Sequence, residues 1–170
     1  MGHTRHIFEG LLHPASSNLF LNSFLNRGRS HLLQSLEDAG NGHYALGVKL
    51  VRGAYHEQEA ALNSRVSISP EANPPVYLTK AETDASFDEC ARILVDIISL
   101  DVRQNSRPRI SVLFGTHNIE SCRLIISLLE QGGLAKADPL NGKVCTISQS
   151  TALRIAFGQL FGMPPPLQSN

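Results

Sequence analysis

A chain of 170 residues, 42% hydrophobic and 18% charged, has the composition of a folded domain with a real core rather than of a disordered or collagenous segment. Lys plus Arg number 15 and Asp plus Glu 15, so the zero formal charge offers no bulk attraction to nucleic acid or to an anionic membrane. Cys90, Cys122 and Cys145 are odd in number and too far apart for a CxxC metal site, so each is expected to be a free thiol packed as a small apolar residue.

No apolar run reaches the roughly 20 residues that a spanning helix needs. The first 35 residues hold Arg5, Arg27, Arg29, several serines and the single acid Glu9, a composition shared with organelle transit peptides. Within them the apolar run Leu19 to Leu25 reads equally well as a buried strand and its turn. His3, His6 and His13 lack a metal-ligand spacing and are expected at the surface.

Ser30 is placed to cap a helix over His31 to Ala39 that Gly40 would stop. Leu46 to Val51, rich in branched residues, predicts a strand that turns at Gly53 into a short helical stretch around His56 to Leu62. An irregular connection with Pro70, Pro74 and Pro75 follows. Thr83 or Asp84 then opens a long helix whose stripe is Phe87, Ala91, Leu94, Val95 and Ile98. Ile110 to Phe114 predicts a second buried strand, leading through Gly115-Thr116-His117-Asn118 into a helix. That helix carries Ile119, Cys122, Ile125, Ile126 and Leu129 on one face and ends at Gly132-Gly133. A third strand over Arg154 to Leu160 runs into Gly162 and the Pro164-Pro165-Pro166 tract.

Strand, polar junction and helix recur in that order, which is the pattern of βα units and defines an α/β fold. Strand starts near 46, 110 and 154 lie further apart than the roughly 31 residues expected when about 250 are shared among eight units, so the loops are enlarged.

In a parallel sheet of this kind, polar residues at strand ends face the functional edge. Lys49 sits inside Gly47-Val48-Lys49-Leu50-Val51, where a charge needs compensation. Either it is aimed at an anionic or electron-rich cofactor, or it pairs with a carboxylate or snorkels from an edge strand. In Arg52-Gly53-Ala54-Tyr55 the small pair lets backbone approach a ring or phosphate, and Arg52 supplies bidentate charge. Thr116-His117-Asn118 offers three hydrogen-bonding side chains, of which Asn118 is also a good helix cap. Thr79, Lys80, Thr83 and Asp84 gather where the positive end of the long helix would favour a phosphate, or simply where that helix is capped. No GxGxxG, Walker or GxSxG motif is present.

Read together, Gly47 to Tyr55, Asn73 to Asp84 with Cys90, Val112 to Asn118 and Ile155 to Met163 make the chain resemble eukaryotic proline dehydrogenases, fungal members especially. The resemblance implies a segment of a (βα)8 TIM-like barrel with about half of the barrel strands present. Its expected organisation is a poorly matched segment 1–29, the barrel segment 30–163 and a short tail 164–170. It implies FAD as cofactor, oxidation of L-proline to 1-pyrroline-5-carboxylate, ubiquinone as electron acceptor, a mitochondrial location and peripheral association with the inner membrane. It places Lys49 as the catalytic basic residue near the reactive edge of the flavin, with Val51, Arg52, Gly53, Ala54 and Tyr55 lining the cofactor. Thr79, Lys80, Thr83, His117 and Asn118 match positions around its phosphates, ribitol and adenosine, and Leu160 matches a residue of the proline pocket. Two departures stand out. Leu21-Asn22 aligns where the family has a Tyr-Gln pair, and the arginine-bearing helix that binds proline has no counterpart before Asn170.

Overall fold

The computed structural model describes residues 17–23, 25–52, 76–77, 79–138 and 144–158. Four parallel strands, β1 (Ser17–Asn22), β2 (Leu46–Val51), β3 (Ile110–Gly115) and β6 (Ile155–Gly158), form one sheet in the order β1-β2-β3-β6. Each strand lies beside its predecessor, so the sheet is wound in one direction, as in a barrel, with no reversal of strand order. Right-handed crossovers in such a sheet put every helix on the same face. Accordingly α1 (Gly28–Asn41) packs on β1 and β2, and α2 (Lys80–Arg103) on β2 and β3.

The side-chain alternation of the strands then decides what is core. Leu19 and Leu21, Val48 and Leu50, Val112 and Phe114 point to the helices and join Leu32, Phe87, Leu94, Val95 and Ile98 in one buried cluster. Phe20, Lys49, Leu113 and Ala156 form a layer across the opposite face, which carries no helix among the described residues, followed toward the strand C-termini by Asn22, Val51, Gly115 and Gly158. The expected α/β architecture and partial barrel are therefore what the chain adopts.

Several boundaries differ from expectation, each for a local reason. The ambiguous run near the N-terminus is strand β1, its register fixed by pairing with the whole of β2. Helix α1 starts two residues before Ser30, whose hydroxyl donates back to the Arg27 carbonyl at 3.0 Å, and it runs past Gly40 to a cap at Gly42. Helix α2 opens at Lys80 rather than at Thr83 or Asp84, because Thr79 accepts from the Glu82 amide while the Glu82 carboxylate takes the Thr79 amide in a capping box. On α3 (Ile119–Gln131) the buried residues are Ser121, Ile125 and Leu129, whereas Ile119 and Ile126 are exposed. A small antiparallel hairpin, β4 (Ala135–Ala137) with β5 (Cys145–Ile147), and the one-turn α4 (Gln149–Ala152) precede β6 and had no sequence signal. The predicted helical stretch at 56–62 and the last residues of the third strand lie outside the described residues.

Cys90 is fully buried, and burial pushes its thiol up to about 11, so it stays protonated and acts as core at neutral pH. Cys122 and Cys145 are free and half-buried. Phe87, fully buried under the sheet, should cost about 3–5 kcal/mol when changed to Ala, while Ile119→Ala at a 59% exposed position should change stability by less than about 0.5 kcal/mol. Urea unfolding of the two variants checks this, and similar losses from both would contradict the placement of the core.

Candidate functional site

Lys49 lies in the middle of β2, and β2 is flanked on both sides, so the edge-strand explanation of this lysine does not hold. Its side chain stands on the face opposite the described helices, with Nζ 5.3 Å from the centroid of the Phe20 ring, its cross-strand neighbour. Among the described residues its partner is thus an aromatic face and not a carboxylate. A cation–π contact at a partly exposed site is worth about 0.5–1 kcal/mol. Full desolvation of an ammonium costs several times that, so Lys49 remains only half-buried.

The next layer toward the strand C-termini holds Asn22, Val51, Gly115 and Gly158. A Cβ on Gly115 or Gly158 would come within 3.2 Å of Val51 or Leu113 respectively, so a side chain at either position would have to displace its neighbour. Asn22 ends β1 in the same layer at 6% exposure.

The edge itself is tied by backbone: the Arg52 amide donates to the Gly115 carbonyl at 3.0 Å. The Arg52 guanidinium donates to Asp84 on α2, and the other Asp84 oxygen takes Lys80 Nζ at 2.7 Å. The Arg52 side chain is 13% exposed, that of Asp84 27% and that of Lys80 76%. Burial raises the Asp84 carboxyl, but hydrogen bonds from Lys80 and Arg52 and their charges outweigh it and hold the group below its ordinary 3.8. In the sequence Asp84 reads as part of a polar group and as a candidate start of the long helix. Its i, i+4 spacing to Lys80 was readable, whereas its pairing with Arg52 needed the crossover geometry.

Other expected site residues are engaged locally. Thr79 caps α2, and the Thr83 hydroxyl, nearly buried, donates to the Thr79 carbonyl at 3.2 Å. Asn118 caps α3 by accepting from the Glu120 amide at 2.8 Å and the Ser121 amide at 3.3 Å, and its own amide donates to buried Thr116 at 3.0 Å. His117 is half-buried between these two residues. The structure therefore brings Lys49, Val51, Arg52, Thr79, Lys80, Thr83, His117 and Asn118 to the central part and C-terminal edge of one sheet. Gly53, Ala54, Tyr55 and Leu160 lie outside the described residues.

The opposite edge is built for cohesion. Asp101, fully buried at the end of α2, accepts from the Arg109 amide at 3.0 Å and from Arg109 Nε at 2.6 Å, with Arg154 3.8 Å away. This ties α2 to the starts of β3 and β6. A cavity of about 320 Å³ also opens at this N-terminal edge, between His43, Tyr44, Arg107 and Ile97, away from the polar strand ends.

A singly wound parallel sheet with the described helices packed on one face has the architecture of a segment of a (βα) barrel. The family is given by comparison with known proteins: the model for proline dehydrogenase matches residues 15–170, and the chain belongs to that family. It is 29% identical to hydroxyproline dehydrogenase of Mus musculus over 83% of this chain and 26% of that protein. It is 32% identical to mitochondrial proline dehydrogenase 1 of Dictyostelium discoideum over 86% of this chain and 22% of that one. The chain thus spans about a quarter of the curated relatives' length. In fold it is similar to proline utilization A from Bdellovibrio bacteriovorus inactivated by N-propargylglycine, with a TM-score of 0.60, 22% identity and coverage of 86% of this chain and 12% of that structure.

Because the folded Asp84 carboxyl lies below its ordinary value, its contribution to stability is complete above about pH 4 and is lost as pH falls through the lowered value. Thermal melts should find Asp84→Asn less stable than the native chain at pH 7, with the difference closing as the pH falls through that lowered value. A gap that persists or widens in acid would contradict the ion-pair geometry.

Proposed function

We propose that the chain forms part of an FAD-dependent dehydrogenase that oxidises L-proline to 1-pyrroline-5-carboxylate and passes electrons to ubiquinone. The observation that carries this reading is Lys49: a cation on the flanked strand of an apolar sheet, facing away from the helices, with a ring for a partner. The residues present fit a flavin. Lys49 and Asn22 offer its ring a charge and an amide, and Arg52 and Lys80 stand where phosphates need cations.

When bound, FAD supplies the hydride acceptor. Proline contributes the hydride from the carbon beside its ring nitrogen, and the chain's own residues position, neutralise and exclude water. Lys49 puts a fixed positive charge where negative charge develops, and fixed charges of this kind need no reorganisation during the reaction. Val51 and the Gly53-Ala54-Tyr55 stretch line the cofactor. Thr79, Lys80, Thr83, His117 and Asn118 surround its phosphate, ribitol and adenosine parts, and Leu160 lines the proline pocket. The motifs span 30–163, with a divergent segment before them that supplies β1 and a short tail over 164–170. Relatives named as mitochondrial support a mitochondrial location with peripheral contact to the inner membrane.

A second reading is a homologue that no longer catalyses. It is favoured by the outer edges of β1 and β6, which among the described residues pair with no further strand. Colour separates the two: purified chain that is yellow, or becomes so with FAD, and bleaches when L-proline is added supports the enzyme. Hydroxyproline in a parallel assay tests the substrate named for the mouse relative. Lys49→Met should lower the bleaching rate by roughly 10²–10³, the usual loss for one preorganised electrostatic group. Colourless protein that ignores FAD, or a Lys49→Met variant as fast as the native chain, overturns the proposal.

A further inference from the structure

We propose that Asp84 is a positioning residue: it holds the Arg52 guanidinium and the Lys80 ammonium, from two different elements, as one cationic pair for the cofactor's phosphates. This role rests on the flavoenzyme reading above. Arg52 leaves the end of β2 and Lys80 is the first helical residue of α2, so nothing local sets their separation. Asp84 supplies one carboxylate oxygen to each, and α2 in turn fixes Asp84.

Two details distinguish this from an ordinary surface staple. Arg52 Nε is buried and donates to nothing among the described residues, although its guanidinium is otherwise anchored. A buried charged donor without an acceptor is an incomplete arrangement that an anionic oxygen would complete. One carboxylate bridges two cations from different elements and so fixes their separation, while the Glu82 carboxylate of the same first turn is engaged in the capping box with Thr79. Asp84 thereby orients the cations.

The sign of one substitution decides the matter. Asp84→Asn removes a negative charge beside the site, so a point-charge account predicts that anions bind more tightly. Positioning predicts the reverse: FAD, followed by flavin fluorescence, and inorganic pyrophosphate, followed by calorimetry, should both bind roughly tenfold more weakly, the scale of one charged hydrogen bond. Riboflavin, which has the ring without the phosphates, should be unaffected, and Asp84→Glu should recover most of the loss. Equal or tighter binding of FAD and pyrophosphate by a cooperatively melting Asp84→Asn chain overturns the proposal. Should that variant not fold, Lys80→Met at a 76% exposed side chain tests whether the held ammonium meets the phosphates at all, and unchanged affinity there overturns the proposal. Native chain that binds pyrophosphate through Asp84 but not FAD sinks the flavoenzyme reading and leaves the positioning role. Native chain that binds neither sinks both.

Discussion

The site depends on where the helices are not. A parallel sheet buried on both faces excludes a lysine from its interior strands, yet Lys49 stands on a strand paired on both sides. The sequential strand order resolves this by placing every crossover helix on one face and freeing the other. On the freed face the lysine keeps part of its hydration and rests against Phe20. The contact is too weak to offset complete burial, which is why the lysine stays half-exposed.

From that constraint the two edges of the sheet diverge. At the C-terminal edge, glycines end β3 and β6, an amide ends β1 and an ion triad joins β2 to α2. The helices beginning there are capped by the side chains of Thr79 and Asn118, which lie at the same edge. At the N-terminal edge, Asp101 is buried among arginine contacts that tie a helix end to two strand starts. The division follows the general asymmetry of (βα) barrels, chemistry at one end and cohesion at the other.

Much of this was legible in the residues. Strands β2 and β3 announce themselves as branched apolar runs, and their polar junctions locate the functional edge because strand ends are where chemistry collects. The capping-box spacing of Thr79 and Glu82 was also in plain view, but the neighbouring Thr83-Asp84 pair offered an equally good cap and drew the boundary four residues late. Strand β1 could not be told from a transit-peptide stretch by composition, since only pairing with β2 fixes which of its residues face the core. The β4-β5 hairpin is too short to have a period. The Phe20 contact with Lys49 and the Arg52 contact with Asp84 were invisible for a deeper reason. Each joins residues about thirty apart through sheet register or helix placement, and neither is a property of any local window.

The chain belongs to the proline dehydrogenase family, and Lys49 stands against Phe20 on the face of the sheet opposite the described helices. The most direct measurement is the rate at which an acylating reagent modifies the Lys49 amine, followed by mass spectrometry with and without FAD. A flavin over this residue predicts strong protection of Lys49 relative to exposed lysines such as Lys136. Equal acylation in both conditions, in protein shown to have bound FAD, would contradict the account.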